Sequence, residues 1–335
     1  MASGPMTQNR RVVISRPGGP EVLEVISEDL RAPRGDEAQV RVLASGVAFG
    51  DVLKRRGVVG ISPKMPFTPG YDLVGVVETL GPGCTRVKSG DRVAAFVVNG
   101  ANTEHANVSD KLLVPIPSEV DPVESLCLVL NYVTAEQMLR RVAAVKPGQR
   151  ILVHGAGGGV GTALLQLGKL EGLEMYGTAS KAKCELVREL GAVPIDYKNE
   201  DFVERVLALT GDGVDLVLDP IGGSHLGQSR RVLRRGGMLI AYGASVAVDG
   251  GTSRLVSSLL RLLFYKLIPD GRSYRLYGIH DQASIQEDLK RLLALLGQKK
   301  LRPVIGARLA LSEAVKAHQL LETAAVAGKI VLVPT

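Results

Sequence analysis

The chain has 335 residues, 45% hydrophobic and 22% charged, which is enough for about two domains that bury their own cores. Its net charge is +7, but the basic residues are dispersed, aromatics are 4% and Trp is absent, so a base-stacking surface is not expected and nucleic acid is not expected as a partner. Three scattered cysteines (Cys84, Cys127, Cys184) argue against a disulfide framework and exclude a CxxC zinc lobe, no two histidines have metal-ligand spacing, and no apolar run is long enough to cross a bilayer. The N-terminus has no basic start followed by an apolar stretch, so a secretory signal is not expected; a cytoplasmic location is expected, with no membrane partner.

Residues 10–130 read mostly as strand and turn. β-Branched runs at Arg11–Ile14, Ala38–Ala44, Val74–Thr79 and Arg92–Val97 are separated by turn clusters such as Pro17-Gly18-Gly19-Pro20 and Gly81-Pro82-Gly83. That pattern predicts a β-rich, barrel-like domain. Near residue 130 the pattern changes, with a helix predicted over Val133–Val145 and stopped by Pro147-Gly148. Strand and helix then alternate. Strands are predicted at Ile151–His154, Glu174–Thr178, Leu216–Asp219, Met238–Tyr242 and Arg275–Ile279. Helices are predicted at Thr162–Glu171, Lys181–Leu190, Asp201–Thr210, Gly227–Leu233 and Ala283–Leu296. Such alternation predicts a parallel sheet with helices on both faces. Gly243–Arg272 is the least legible stretch, a Gly-Gly turn followed by an apolar run and a basic loop. The tail after Ala307 carries one helix and a last strand at Ile330–Pro334.

The motif with most chemistry is His154-Gly155-Ala156-Gly157-Gly158-Gly159-Val160-Gly161, which follows a predicted strand and opens a predicted helix. Gly155, Gly158 and Gly161 allow a tight turn, close approach of the backbone to a pyrophosphate, and close helix–strand packing. The helix N-terminus, with Gly159 and Val160, offers free N–H groups and partial positive charge. A strand ending in an acid would favour NAD. Here the next strand ends Gly177-Thr178-Ala179-Ser180, with no carboxylate to repel a 2′-phosphate. Ser180 can donate a hydrogen bond, and either Lys183 or Lys181 can supply charge. Ala156, Thr178 and Gly243 complete the candidate cofactor contacts.

Several segments together resemble the zinc-independent quinone oxidoreductase branch of the medium-chain dehydrogenase/reductase superfamily. They are Ala44-Ser45-Gly46-Val47-Ala48-Phe49-Gly50-Asp51, Pro66-Phe67-Thr68-Pro69-Gly70-Tyr71-Asp72, Gly90-Asp91-Arg92-Val93, Leu130-Asn131-Tyr132-Val133-Thr134-Ala135, the glycine motif, Asp219-Pro220-Ile221-Gly222-Gly223, and Gly328-Lys329-Ile330-Val331-Leu332. The resemblance implies an α/β architecture with two parts. A GroES-like β-rich catalytic domain (1–128 and 299–335) would accompany a Rossmann, doubly wound parallel-sheet NADPH-binding domain (129–298). It also implies an active site in the cleft between them and a homodimer joined through the Rossmann sheets. In this branch, residues matching Ser180, Lys183 and Tyr197 hold the 2′-phosphate, and those matching Asn131 and Thr134 lie near the nicotinamide.

The same resemblance speaks against a metal. Zinc-using relatives carry a Cys in the segment matching Gly46–Asp51 and a His-Glu pair where this chain has Tyr71-Asp72. A catalytic zinc needs about three protein ligands, and that set is missing. The chain also departs from its own branch. Ala48 replaces a usual Asn, and Leu53 stands where many quinone reductases carry Tyr. Tyr71, Asn131 and Tyr132 are the remaining candidates for a catalytic contact. The expected function is NADPH-dependent hydride transfer to a small quinone or α,β-unsaturated carbonyl. The alternatives are an enoyl-thioester reductase of lipid or polyketide metabolism, with Arg254, Arg261, Lys266, Arg272 and Arg275 meeting a phosphorylated carrier arm, or an NADPH-binding trafficking or RNA-binding relative with little turnover.

Overall fold

Short β-branched runs become strands wherever one face can be buried. Gln8–Ile14 (β1) and Leu23–Asp29 (β2) pair as an antiparallel ribbon. Glu37–Val47 (β3) precedes a seven-residue helix, Phe49–Arg55 (α1), and then come Asp72–Leu80 (β4), Arg92–Phe96 (β5), His105–Ser109 (β6) and Leu113–Pro115 (β7). The sequence reading had mostly strand and turn in this region and no helix at α1. α1 forms because the Asp51 carboxylate folds back on the Ala48 amide at 2.9 Å and closes the first helical turn. Pro122–Cys127 (α2) is capped by Asp121, whose carboxylate accepts from the amides of Val123 and Glu124. Two π-helical stretches, Leu128–Tyr132 and Gln137–Val142, flank Val133–Glu136 (α3). The helix predicted over Val133–Val145 is thus part of a longer, more loosely wound run.

Strands and helices then alternate as expected: Arg150–His154 (β8), Gly159–Leu170 (α4), Glu174–Ala179 (β9), Lys181–Glu189 (α5), Val193–Asp196 (β10), Phe202–Thr210 (α6), Val214–Asp219 (β11), His225–Arg231 (α7), Leu233–Ala241 (β12), Ala247–Lys266 (α8) and Ser273–Leu276 (β13). The helix predicted to reach Leu233 stops at Arg231, because Leu233 already pairs with Val214 of β11. The last stretch comprises Gln282–Gly297 (α9), Ile305–Ala310 (β14), Ala314–Glu322 (α10) and Lys329–Val333 (β15).

The computed structural model describes residues 8–243, 245–279 and 281–334. They divide into two compact units, Met1–Val133 with Asp281–Thr335, and Thr134–His280. The boundary drawn at 298 from sequence therefore moves to 281. α9 packs on β7 and on the π stretch Leu128–Tyr132, and so belongs to the first unit. In that unit a seven-stranded sheet runs β14-β15-β3-β4-β5-β7, with β6 also paired to β3. In the second unit six parallel strands run β10-β9-β8-β11-β12-β13. Its central strands are continuous apolar runs, Ile151–Val153 and Leu216–Leu218, as strands covered on both faces require.

Two buried ion pairs tie the first unit together. Lys329 Nζ on β15 lies 2.5 Å from Asp72 Oδ2 on β4, both side chains almost wholly buried. A Cβ on Gly46 of β3 would strike both partners, so only glycine fits there. Arg55 of α1 is fully buried and pairs with Glu322 of α10. Its Nη1 also donates to His318 Nδ1 at 2.8 Å. A guanidinium has no acceptor, so Nδ1 must be bare and the imidazole neutral. Burial, with the Arg55 charge behind it, pushes His318 down to about 3.

The sign of the pH dependence follows. Below 6.5 the unfolded chain takes up a proton that folded His318 refuses. Its contribution to stability is therefore complete above that pH and is lost as pH falls toward about 3, by up to ~1.4 kcal/mol per pH unit. His318→Asn keeps an acceptor for Arg55 and cannot titrate. Denaturation curves across that window should show a flatter loss of stability for His318→Asn. An unchanged slope would place the proton uptake elsewhere.

Candidate cofactor and substrate site

β8 ends at His154 and α4 begins at Gly159, with Gly155-Ala156-Gly157-Gly158 turning between them. Gly155 sits at φ 64°, a region glycine enters freely. A Cβ on Gly161 would strike the Gly155 carbonyl oxygen and lie 2.7 Å from Ala156 Cα, so the first turn of α4 rests directly on the glycine turn. The Ala156 amide donates to the Thr178 carbonyl at 3.0 Å and ties the turn to β9. The N–H groups that open α4, from Gly159 and Val160 onward, have no acceptor within the helix and carry its positive end. The strand order reverses between β8 and β11, the place where doubly wound sheets bind ligands.

β9 ends at Ala179, and Ser180 precedes α5, with no acid among them. The Lys183 stem covers Gly157: a Cβ there would lie 2.8 Å from Lys183 Cδ. Lys181 points to solvent. Of the two lysines left open by the sequence, the geometry puts Lys183 beside the glycine turn. Burial lowers its pKa. The Tyr197 amide donates to the Ala179 carbonyl at 3.3 Å, and its side chain is half exposed. Ser180, Lys183 and Tyr197 thus gather at the end of β9. Gly243 lies against Pro220, where a Cβ would come 2.6 Å from the Pro220 carbonyl oxygen.

Below this turn is a buried network that sequence reasoning missed. Ser229 Oγ donates to Asp219 Oδ2 at 2.7 Å. Its free lone pair faces His154 Nε2 at 3.2 Å, which must then carry the imidazole proton. His154 Nδ1 in turn accepts from Thr178 Oγ1 at 3.0 Å. Asp219 Oδ1 accepts the amides of Ile221 and Gly222 at 2.7 and 3.0 Å, and Oδ2 also meets His225 Nδ1 at 2.9 Å. Burial works to raise the Asp219 carboxyl. The hydrogen bonds from His225 and Ser229 and the two imidazoles overcome it and hold the group well below the usual carboxylate range. Burial pushes His154 down to about 3. Phe202 stacks on His225, with ring centroids 5.1 Å apart. His154, Asp219 and His225 have the residue types of a metal centre, with ligand atoms within 4.8 Å of one another. Each of the three already shares a proton with a neighbour, so the cluster closes on itself without an ion.

In the first unit, Asp51 is buried and accepts the amides of Ala48 and Gly70, both at 2.9 Å. Burial raises its carboxyl to about 6, against the pull of Lys54. Lys54 Nζ lies 3.5 Å from the centroid of the Tyr71 ring. It also donates to the carbonyl of Val98 at 2.5 Å and to Asn99 Oδ1 at 2.8 Å. Val98 holds φ 67°, a strained position for a β-branched residue, and the lysine pins it there. Burial lowers Lys54 to about 8 and pushes the Tyr71 phenol far up, so Tyr71 stays a protonated donor. Asn131 is buried in the first π stretch, in the first unit, and Thr134 is buried in α3, at the start of the second. Tyr132 is 1% exposed and its hydroxyl has no partner among the described residues, the setting of a packed aromatic. In the segment Gly46–Asp51, where zinc-using relatives carry a Cys, Ala48 opens α1 and takes the Asp51 cap, and in place of their His-Glu pair Tyr71 meets Lys54 and Asp72 pairs with Lys329. These residues do not fit a zinc ion.

Two family models match the chain, an alcohol dehydrogenase GroES-like domain over residues 34–118 and a zinc-binding dehydrogenase over residues 190–332. The rat quinone oxidoreductase is 30% identical, the match covering 94% of this chain and 94% of that protein. The mouse synaptic vesicle membrane protein VAT-1 homolog-like is 32% identical over 98% of this chain and 82% of its own length. Among solved structures, Escherichia coli quinone oxidoreductase complexed with NADPH superposes with a TM-score of 0.88 at 27% identity, covering 97% of this chain and all of that one (100%). The GroES-like unit, the parallel-sheet unit with its glycine turn, and these relatives agree: the chain belongs to the zinc-independent quinone oxidoreductase branch of the medium-chain dehydrogenase/reductase superfamily.

Proposed function

We propose that the chain is an NADPH-dependent reductase that delivers hydride to a small quinone or α,β-unsaturated carbonyl without a metal. The observation that carries the cofactor half is the end of β9, where a carboxylate is absent and the Lys183 stem lies on the glycine turn. NADPH, when bound, supplies the hydride. The chain's part is to hold and orient. The free amides of α4 receive the pyrophosphate, and Ser180, Lys183 and Tyr197 receive the 2′-phosphate.

The substrate half follows from the donor set. Oxidising an alcohol requires removal of a hydroxyl proton as hydride leaves, usually with help from a metal that lowers its pKa. Ala48, Phe49, Gly50 and Tyr71 offer no metal ligands for that. Reducing an activated double bond instead places negative charge on a carbonyl oxygen, which a neutral donor can meet. Tyr71, kept protonated by burial, is the side chain proposed for this contact. The reading includes a homodimer, with the open edge of β13 as its candidate seam.

A second reading, an NADPH-binding protein with little turnover, is favoured by Ala48 and Leu53, which remove two side chains that the branch usually carries. Relatives named as synaptic vesicle membrane proteins, at 31–32% identity, point the same way.

Two measurements separate the readings. Lys183→Ala should weaken NADPH binding by roughly ten- to a hundredfold, the worth of one charge-assisted phosphate contact of ~1.5–3 kcal/mol, and leave NADH nearly unchanged. Equal loss for both cofactors would make Lys183 structural. The chemistry is tested by NADPH consumption with a panel of quinones, enones and enoyl thioesters, beside NADP reduction with simple alcohols. Turnover with quinones or enones and silence with alcohols is expected. Brisk alcohol oxidation would contradict the proposal, and silence across the panel with NADPH still bound would favour the second reading.

A further inference from the structure

One face of α8 has no covering element among the described residues. The inward side is set by Leu262 and Tyr265, which bury in the core of the second unit, and by Ser258, whose Oγ accepts the Gly223 amide at 2.8 Å. On the opposite side Val256, Leu260, Leu263, Phe264 and Leu267 fall at i, i+4, i+7, i+8 and i+11, a single stripe on a helix. They are 46%, 61%, 56%, 61% and 81% exposed. Single exposed leucines are ordinary, whereas a continuous stripe of this length marks a place where something binds.

The charges beside the stripe say what. Arg254, Arg261 and Lys266 are exposed. At 100° per residue, Arg254 and Arg261 fall on one flank and Lys266 on the other. The only acid in residues 251–270 is Asp270. Asp270 is already engaged by Arg230, Arg272 and the Tyr274 hydroxyl. Exposed Arg275 on neighbouring β13 adds to the same sign.

We propose that this face of α8 docks on an anionic lipid bilayer, the helix lying in the plane of the interface. Phe264 and the leucines would enter the boundary of the acyl chains. Arg254, Arg261 and Lys266 would lay their stems along that boundary and set their charges against headgroup phosphates. A second copy of the chain fits this face less well. Pairing it about a two-fold axis brings the basic flanks of residues 254–266 together, with no carboxylate within that stretch of either helix to offset them. No helix of the described residues is long and apolar enough to cross a membrane. That criterion, which led to the expectation of no membrane partner, does not bear on surface contact. The proposal is independent of the reductase reading.

The test is flotation of the full-length protein with vesicles of phosphatidylcholine alone, or of phosphatidylcholine with roughly a third phosphatidylglycerol, at low and high salt. Recovery with the anionic vesicles should exceed the neutral control by at least ~10-fold and fall with added salt. The double variants Leu263→Glu/Phe264→Glu and Arg254→Glu/Arg261→Glu alter only exposed side chains. Each should lose at least ~10-fold of that recovery while keeping the wild-type circular dichroism and melting temperature. No recovery of the wild type with anionic vesicles would overturn the proposal. So would wild-type recovery of the Leu263→Glu/Phe264→Glu protein. If that variant instead changes the sedimentation mass and leaves vesicle binding intact, the face belongs to a second copy and the bilayer proposal fails.

Discussion

The hydrogen that stands in for a side chain at Gly161 lets α4 start on top of the Gly155 carbonyl. Everything at the proposed cofactor site depends on that approach. It brings the free amides of α4 to the point where the strand order reverses, between β8 and β11. It also lets the turn hang from the carboxyl end of β9 through the Ala156 amide, next to Ser180 and Lys183, which follow that same end. A methyl group at Gly161 would have to push the helix off the turn, and backbone cannot yield as a flexible side chain does.

Behind the turn, the structure stabilises a buried carboxylate with fixed dipoles. Asp219 carries its charge in a fully buried position, met by two amides, a hydroxyl and an imidazole. Four donors aimed at two oxygens offset a desolvation cost that would otherwise neutralise the acid. The arrangement also fixes the His154 proton on Nε2, and through Thr178 it reaches β9. The carboxyl ends of β8, β9 and β11 are thereby joined by one chain of hydrogen bonds, and removing any member leaves a neighbour unpaired in the core. The first unit uses full ion pairs instead, Asp72–Lys329 and Arg55–Glu322, where losing one partner is far more damaging than replacing both.

How much of this could be read from the residues depended on how local the cause was. The glycine turn was legible because its spacing, the strand before it and the helix after it lie within twenty residues of one another, and the parallel sheet because its strands are unbroken apolar runs. α1 was hidden because its cap comes from Asp51 reaching back to Ala48, a residue with no capping side chain. The Asp219 network was hidden because its members lie far apart in sequence, Ser229 and His154 being 75 positions apart. The limit of the second unit was misplaced because α9 is amphipathic whichever sheet receives it. The motif alone left Lys183 and Lys181 open; the resemblance chose Lys183, and the path of its stem past Gly157 gives that choice a physical reason. The apolar run that forms α8 was visible in the residues, but its composition could not say that a whole apolar stripe faces solvent.

The claim that the close approach at Gly161 creates the cofactor site is tested most directly by titrating NADPH into Gly161→Ala, with circular dichroism as a control for the fold. The expected result is a loss of at least ~100-fold in NADPH affinity, while the secondary structure is kept. Wild-type affinity in that variant would contradict it, because α4 would then tolerate displacement from the turn without releasing the pyrophosphate.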